Sequence, residues 1–238
     1  MKIYLIPIWL KEGNKESLSR EIPMIIRQTK YFLVENLRTA RRFISALKLG
    51  IVIDDLVLFQ LDKKTTKAEL ENYFKKIPAK DENNEPTKIG IMSEAGCPGV
   101  ADPGALAVEY AHKNNIEIVP LVGASSILLA LMASGFNGQN FAFHGYLSID
   151  KEKRKNEVKN LESESKKLKR SQIFMETPYR NNPLLNDILK VLNPKTRLCI
   201  ASNITSKSQF IKTKTVGEWK KEIPDLHKIP TIFVLYAQ

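Results

Sequence analysis

Apolar, β-branched runs alternate along the chain with stretches whose apolar residues recur every third or fourth position. The runs at residues 3–8, 31–34, 88–92 and 116–121 read as strands of a first half, and those at 141–146, 172–175, 197–201 and 231–236 as strands of a second. Helical spacing falls between them, at residues 17–28, 37–47, 65–74, 105–113, 126–133, 153–169 and 183–192. Strands alternating with helices predict an α/β chain with mostly parallel sheets covered by helices. A break near residues 120–123 divides it into an N-terminal α/β domain, 1–119, and a C-terminal one, 120–238. Two polar stretches stand out: residues 79–85 read as a solvated loop. Residues 151–170, charged on nearly every turn, read as an exposed helix with Glu/Lys pairs.

With 43% hydrophobic residues the chain can bury a core. Its apolar runs, such as residues 127–133, fall short of the roughly 20 residues a bilayer span needs. The N-terminus shows no signal-peptide pattern. Cys97 and Cys199 give neither a disulfide framework nor metal-ligand spacing, and His112, His144 and His227 are scattered, so no metal site is expected. A reducing cytoplasm fits. Thirty-seven basic against 26 acidic residues leave a net charge of +11. That excess points equally to an anionic partner, nucleic acid first, and to a Lys/Asn-biased surface.

Three loops leaving strands carry candidate chemistry. Residues 93–104, S-E-A-G-C-P-G-V-A-D-P-G, hold three glycines and two prolines, a rigid loop whose backbone can approach a ligand closely. It is no P-loop, lacking Gly-Lys-Ser/Thr, and is not G-x-G-x-x-G. A loop without a fixed cation suits a ligand without phosphates, such as S-adenosylmethionine. Asp102-Pro103 also reads as a helix cap followed by a first-turn proline. The second loop, residues 122–126, offers small residues for close packing, with Ser125 or Ser126 as a helix cap. The third, residues 175–180, presents a carboxylate, a hydroxyl, an aromatic ring and a guanidinium, and Arg180 there can equally pair with Glu176.

In their order and spacing these loops resemble the tetrapyrrole methylase superfamily, and within it the ribosomal RNA small subunit methyltransferase I branch. That branch's S-D-A-G-T-P-x-x-S-D-P-G stands here as residues 93–104, and its P-x-P-G-P-S-A-L-x-x-A-L-x-x-S-G as residues 120–135. Its F-x-F-x-G-F-L stands as residues 141–147 and its E-S-P-H-R as Glu176-Thr177-Pro178-Tyr179-Arg180. The resemblance implies two α/β domains with a cofactor cleft between them, a homodimer, and S-adenosylmethionine as cofactor. It implies cofactor contacts from Ala95, Gly96, Asp102, Ser125, Ser126, Met175 and Pro230. It further implies methyl transfer to a ribose 2'-hydroxyl of small-subunit ribosomal RNA. Glu35 and Glu176 are candidate bases for the hydroxyl proton, and Arg38 and Arg180 candidates to hold phosphate or orient those carboxylates.

The departures gather on the acceptor side. Trp9-Leu10-Lys11-Glu12 intervene where the branch runs A-T-P-I-G-N without a break. E-D-T-R becomes Glu35-Asn36-Leu37-Arg38, H-x-H-N-E has no counterpart near residues 60–64, and Tyr179 replaces the motif histidine. Methyl transfer to a small, tetrapyrrole-like acceptor therefore stands as the alternative, and RNA binding is distinguished from it by a steep dependence on salt.

Overall fold

Residues 1–238 are described by the computed structural model and divide into two compact units, Met1–Ser125 and Ser126–Gln238. In the first, β1 (Lys2–Leu5), α1 (Glu21–Arg27), β2 (Tyr31–Val34), α2 (Leu37–Ala46), β3 (Val57–Gln60), α3 (Lys67–Lys75), β4 (Lys88–Met92), α4 (Gly104–Lys113) and β5 (Glu117–Pro120) follow one another. Their strands form one sheet in the order β3-β2-β4-β1-β5, parallel at every pairing. Parallel strands covered by helices read as continuous apolar runs, and β1, β2 and β4 bury Ile3, Phe32, Leu33, Val34, Ile89 and Ile91 almost completely. β3 escapes the periodicity because three apolar residues and a glutamine are too short to show a period. The division falls beyond residue 119 because β5 still pairs with β1, and the Leu121 N–H still donates to the Leu5 carbonyl.

The second unit holds α5 (Ser126–Ser134), β6 (Phe141–Tyr146), α6 (Lys151–Leu168), β7 (Ser171–Met175), α7 (Asn181–Val191), β8 (Arg197–Ser202), β9 (Phe210–Thr215), α8 (Val216–Trp219) and β10 (Thr231–Tyr236). Its sheet runs β6-β7-β10-β8-β9. Only β6 and β7 are parallel, and the other three pairings are antiparallel. The expected mostly parallel sheet is thus corrected here: β10 runs against both β7 and β8, and β9 returns antiparallel beside β8 at the edge. This edge strand alternates Ile211 and Thr213 with Lys212 and Lys214, the charged edge that keeps sheets from pairing further, and its lysines hide it from a search for apolar runs. Successive residues of β10 face opposite ways. Phe233 and Leu235 join Phe174, Leu184, Ile188 and Trp219 in a core shared with α6 and α7, while α5 packs against β10, β8 and β9.

The expected exposed helix over residues 151–170 is α6, and it is not exposed all round. Arg154, Val158, Leu161 and Ser165, spaced three or four apart, are buried along one face. The Arg154 guanidinium donates from Nε and Nη2 to Asp187 Oδ2 at 3.1 and 2.6 Å, and from Nη1 to the carbonyls of Ser148 and Ile149 at 3.3 and 2.9 Å. This arginine ties α6 to α7 and is withdrawn from any phosphate. The loop at 79–85 is likewise ordered, by a bridge between Lys80 and Pro86 and by Asp81 Oδ1 accepting from the N–H groups of Asn83 and Glu85. Breaking one partner of a buried ion pair leaves an uncompensated charge. Arg154→Ala should therefore cost about 3–5 kcal/mol in urea unfolding, and Asp187→Ala added to it should cost little more. Two fully additive losses would show that the pair is not the tie.

Candidate functional site

In the first unit, strand order sets the site. β2, β4, β1 and β5 are neighbours, so the segments leaving their carboxyl ends line up along one edge of the sheet, where α/β sheets bind ligands. Those segments are locked backbone to backbone. The Ile8 N–H donates to the Gly96 carbonyl at 3.0 Å. Gly96 is buried at φ +71°, and a Cβ there would lie 3.1 Å from Leu10 Cδ2 and 3.2 Å from the Ala124 carbonyl oxygen. Gly123 is tighter still: its Cβ would stand 2.1 Å from that of Pro7. The Cys97 thiol, pushed up in pKa by burial and so a standing donor, points to the carbonyls of Gly123 and Ala124 at 3.8 and 3.4 Å. The small residues at 95–99 and 122–125 are thus explained first by packing. Ala95 is exposed on this rim and Ser125 is half-buried at its end.

Asp102 closes its own loop one residue ahead of the expected cap, since the N-cap of α4 is Pro103. Its Oδ1 accepts from the N–H groups of Gly99 and Gly104 at 2.9 and 2.7 Å, closing the loop ahead of α4, while its Oδ2 is buried and has no partner. Beside it a groove of about 380 Å³ is lined by Asp62, Lys63, Thr65, Ala101, Asp102, Pro103 and Leu106. Glu35 leaves β2 next to β4, and its Oε2 accepts from the Glu94 N–H at 2.9 Å. Burial is the largest influence on Glu35 and raises its pKa above the ordinary value of 4.5. The Glu94 N–H and Lys63 oppose that shift, and the Glu94 and Asp102 charges add to it. Arg38 is exposed on the first turn of α2 and forms no ion pair with Glu35.

Two of the departures have structural explanations. Asn36 caps α2, its side-chain oxygen accepting from the Thr39 N–H at 3.1 Å, which an aspartate would do equally well. Trp9 is buried edge-on against Phe43, ring centroids 4.8 Å apart, so the inserted segment is a core anchor. Around residues 60–64, Asp62 Oδ1 accepts from the N–H groups of Lys64 and Thr65, a turn leading into the capping box of α3.

In the second unit, β7 and β10 are antiparallel, so the end of one and the start of the other share an edge; Met175 pairs with Ile232, and Pro230 stands just before β10. Met175, Glu176, Arg180 and Pro230 are brought together here, while Ser126 opens α5. The Glu176 side chain is fully buried. Its Oε1 accepts from the Thr177 N–H and from Arg180 Nη2, both at 2.6 Å, so Arg180 does pair with Glu176. Glu176 Oε2, Arg180 Nε and Asn181 Oδ1 are buried without partners. Asn181 was missed by sequence reasoning. It is fully buried, and its Nδ2 donates to the Ile229 carbonyl at 2.6 Å, tying the third loop to the segment before β10. No local signal marks it, because its partner lies far along the chain. A cavity of about 470 Å³ at the opposite end of the first sheet, lined among others by Lys30, Lys80, Thr87 and Lys88, gathers none of the expected residues.

The Glu35 shift has a consequence for stability. The folded chain holds this proton to higher pH than the unfolded chain, so stability is lost as pH rises through the raised pKa. Glu35→Gln, whose amide oxygen still accepts from the Glu94 N–H, should melt above the wild type at neutral pH and level with it in acid below the ordinary glutamate value. A variant that melts lower at neutral pH would show that the carboxylate charge is compensated.

No family model matches the chain. Among curated proteins it is 25% identical over 223 residues to the ribosomal RNA small subunit methyltransferase I of Buchnera aphidicola subsp. Acyrthosiphon pisum, covering 92% of this chain and 73% of that one. It is 30% identical over 152 residues to the protein of that name from Haemophilus influenzae, covering 63% of this chain, and 35% over 145 residues to that from Halalkalibacterium halodurans, covering 60%. The aligned segment spans about half the length of these last two, 52% and 48%. Among solved structures the methyltransferase CobJ superposes with a TM-score of 0.62 at 16% identity, covering 99% of this chain and 93% of its own. Uroporphyrin III C-methyl transferase from Thermus thermophilus gives 0.55 at 12%, covering 99% and 97%. At these identities the two structures show a common fold.

Proposed function

We propose that this chain, a member of the tetrapyrrole methylase superfamily with ribosomal RNA small subunit methyltransferase I proteins as its curated relatives, is an S-adenosylmethionine-dependent methyltransferase of small-subunit ribosomal RNA, working in the cytoplasm. The observation that carries this reading is the rim at residues 95–104 and 123–125. It is a backbone surface closed by Gly96 and Gly123, with one buried carboxylate oxygen, Asp102 Oδ2, left without a partner. Such a surface suits a ligand of amide-like edges and a positive charge. In this reading Ala95, Gly96, Asp102, Ser125, Ser126, Met175 and Pro230 are the cofactor residues. When bound, S-adenosylmethionine supplies a methyl group on a sulfonium, open to in-line attack.

The chain's own residues then position the acceptor and take its proton. As the ribose oxygen forms its bond to the methyl carbon, the carbon–sulfur bond breaks and the hydroxyl proton must leave. Glu35 is the better base of the two carboxylates. Burial raises its pKa, so its carboxylate holds a proton more strongly than an ordinary glutamate does, whereas Glu176 is fully buried and tied to Arg180 by an ion pair. Arg180 accordingly orients Glu176, and the exposed Arg38 is the guanidinium left for a phosphate. The net charge of +11 supports a polyanionic acceptor over a small one.

Titration calorimetry with S-adenosylmethionine and S-adenosylhomocysteine, followed by methyl transfer to small-subunit ribosomal RNA over a salt series, tests the reading. Both ligands should bind with dissociation constants below about a millimolar. Transfer should weaken steeply with salt and fall about 10²–10⁴-fold in Glu35→Gln. No binding of either ligand would refute the assignment, and binding with transfer indifferent to salt would move the acceptor to a small molecule.

A homodimer belongs to the same proposal. α5 carries apolar residues on every side, and after packing on the second sheet it still exposes Leu128 and Met132, one turn apart. A second copy of the chain is the occupant proposed for this face. Light scattering should give the mass of two chains for the wild type and of one for Met132→Lys, and a monomeric wild type would rule the dimer out.

A further inference from the structure

The third loop holds one large aromatic ring out into solvent. Tyr179 is 67% exposed, yet the backbone beneath it is fixed from several directions. The Lys228 N–H donates to the Pro178 carbonyl at 3.0 Å, Asn181 Nδ2 to the Ile229 carbonyl at 2.6 Å, and the Leu226 N–H to Asn182 Oδ1 at 2.8 Å. The Arg180 N–H donates to the Thr177 carbonyl at 2.9 Å, and Asp225 Oδ1 accepts from the His227 N–H at 3.0 Å. His227 meets the Tyr179 ring edge-on, centroids 6.0 Å apart, and the Lys228 ammonium stands 5.8 Å from its centroid. Lys228 is held there in the left-handed region, φ +61°, a conformation uncommon for lysine. On either side of Tyr179 in the chain, Glu176 Oε2 and Asn181 Oδ1 are buried without partners. A ring that contributes little to the core, set on a cross-tied backbone beside the Lys228 ammonium, is built for a ligand with a flat face and a negative charge.

We propose that Tyr179, with His227 and Lys228, is a stacking platform for an unpaired base of single-stranded RNA, the Lys228 ammonium meeting that nucleotide's phosphate. The proposal rests on the RNA reading given above and names how the acceptor strand is held. Aromatic stacking recognises any base face, and it requires that the base be out of a duplex. The preorganised loop lets that contact form without ordering the backbone.

Fluorescence anisotropy of the full chain with a labelled, short single-stranded RNA tests it, comparing wild type, Tyr179→Ala and Tyr179→Phe, with a thermal melt of each as the check of folding. Tyr179→Ala should bind the single strand between about fivefold and a hundredfold more weakly, and Tyr179→Phe within about twofold of wild type. Affinity for the same RNA annealed to its complement should be equal in all three. If Tyr179→Ala binds the single strand as well as wild type does, the platform is wrong while the RNA reading stands. If the wild type binds no RNA and transfers no methyl to it, the RNA reading falls and the platform with it.

Discussion

At the carboxyl edge of the first sheet three segments pack so closely that a methyl group added at Gly123 would overlap the Pro7 ring. Gly123 lies against Pro7, Gly96 is bridged to Ile8, and the Cys97 thiol reaches the carbonyls that follow β5. This contact depends on strand order, because only neighbouring β1, β4 and β5 bring those segments side by side. It also determines what the edge can present. With no room for a side chain at Gly96 or Gly123, peptide groups border the contact, and the Asp102 carboxylate spends one oxygen on closing its own loop. The features that look like a ligand site and those that hold the loops together are therefore the same atoms. A substitution that disturbs one disturbs the other.

The second unit reaches a comparable result with side chains. Glu176 and Arg180 form a half-buried lock across one turn, and Asn181 and the Lys228 backbone join the loop after β7 to the segment before β10. The rigidity is bought with buried polar groups, some left without partners, the usual cost of a site kept ready for a ligand. Elsewhere in the same unit polar burial serves structure alone. Arg154 and Asp187 bind α6 to α7 with every strong donor aimed inward, and the positive charge near them belongs to lysines on the opposite face of α6.

Much of this was legible in the sequence. β2, β4 and β10 stand where the apolar runs place them, because a buried strand must be apolar on both faces, and the edge strand β6 keeps its expected bounds although none of it is buried. The order of the loops at 93–104, 122–126 and 175–180 was legible because glycine, proline and capping residues mark strand ends locally. What was hidden is long-range. The antiparallel return through β9 is written in lysine and threonine, the buried face of α6 lies under a run of charge, and Asn181 finds its partner nearly fifty residues away. Asp102 and Arg180 each had two readings in sequence. The structure gives Asp102 Oδ1 to the N–H groups of Gly99 and Gly104, with Pro103 as the N-cap of α4, and it pairs Arg180 with Glu176.

Hydrogen exchange of backbone amides with and without S-adenosylhomocysteine bears most directly on the claim that these backbone rims are the cofactor site. The account predicts slowed exchange confined to residues 93–104, 122–126, 175–181 and 229–231, with the strands behind them unchanged. Protection appearing instead around Lys30, Lys80 and Lys88, at the far end of the first sheet, would contradict it.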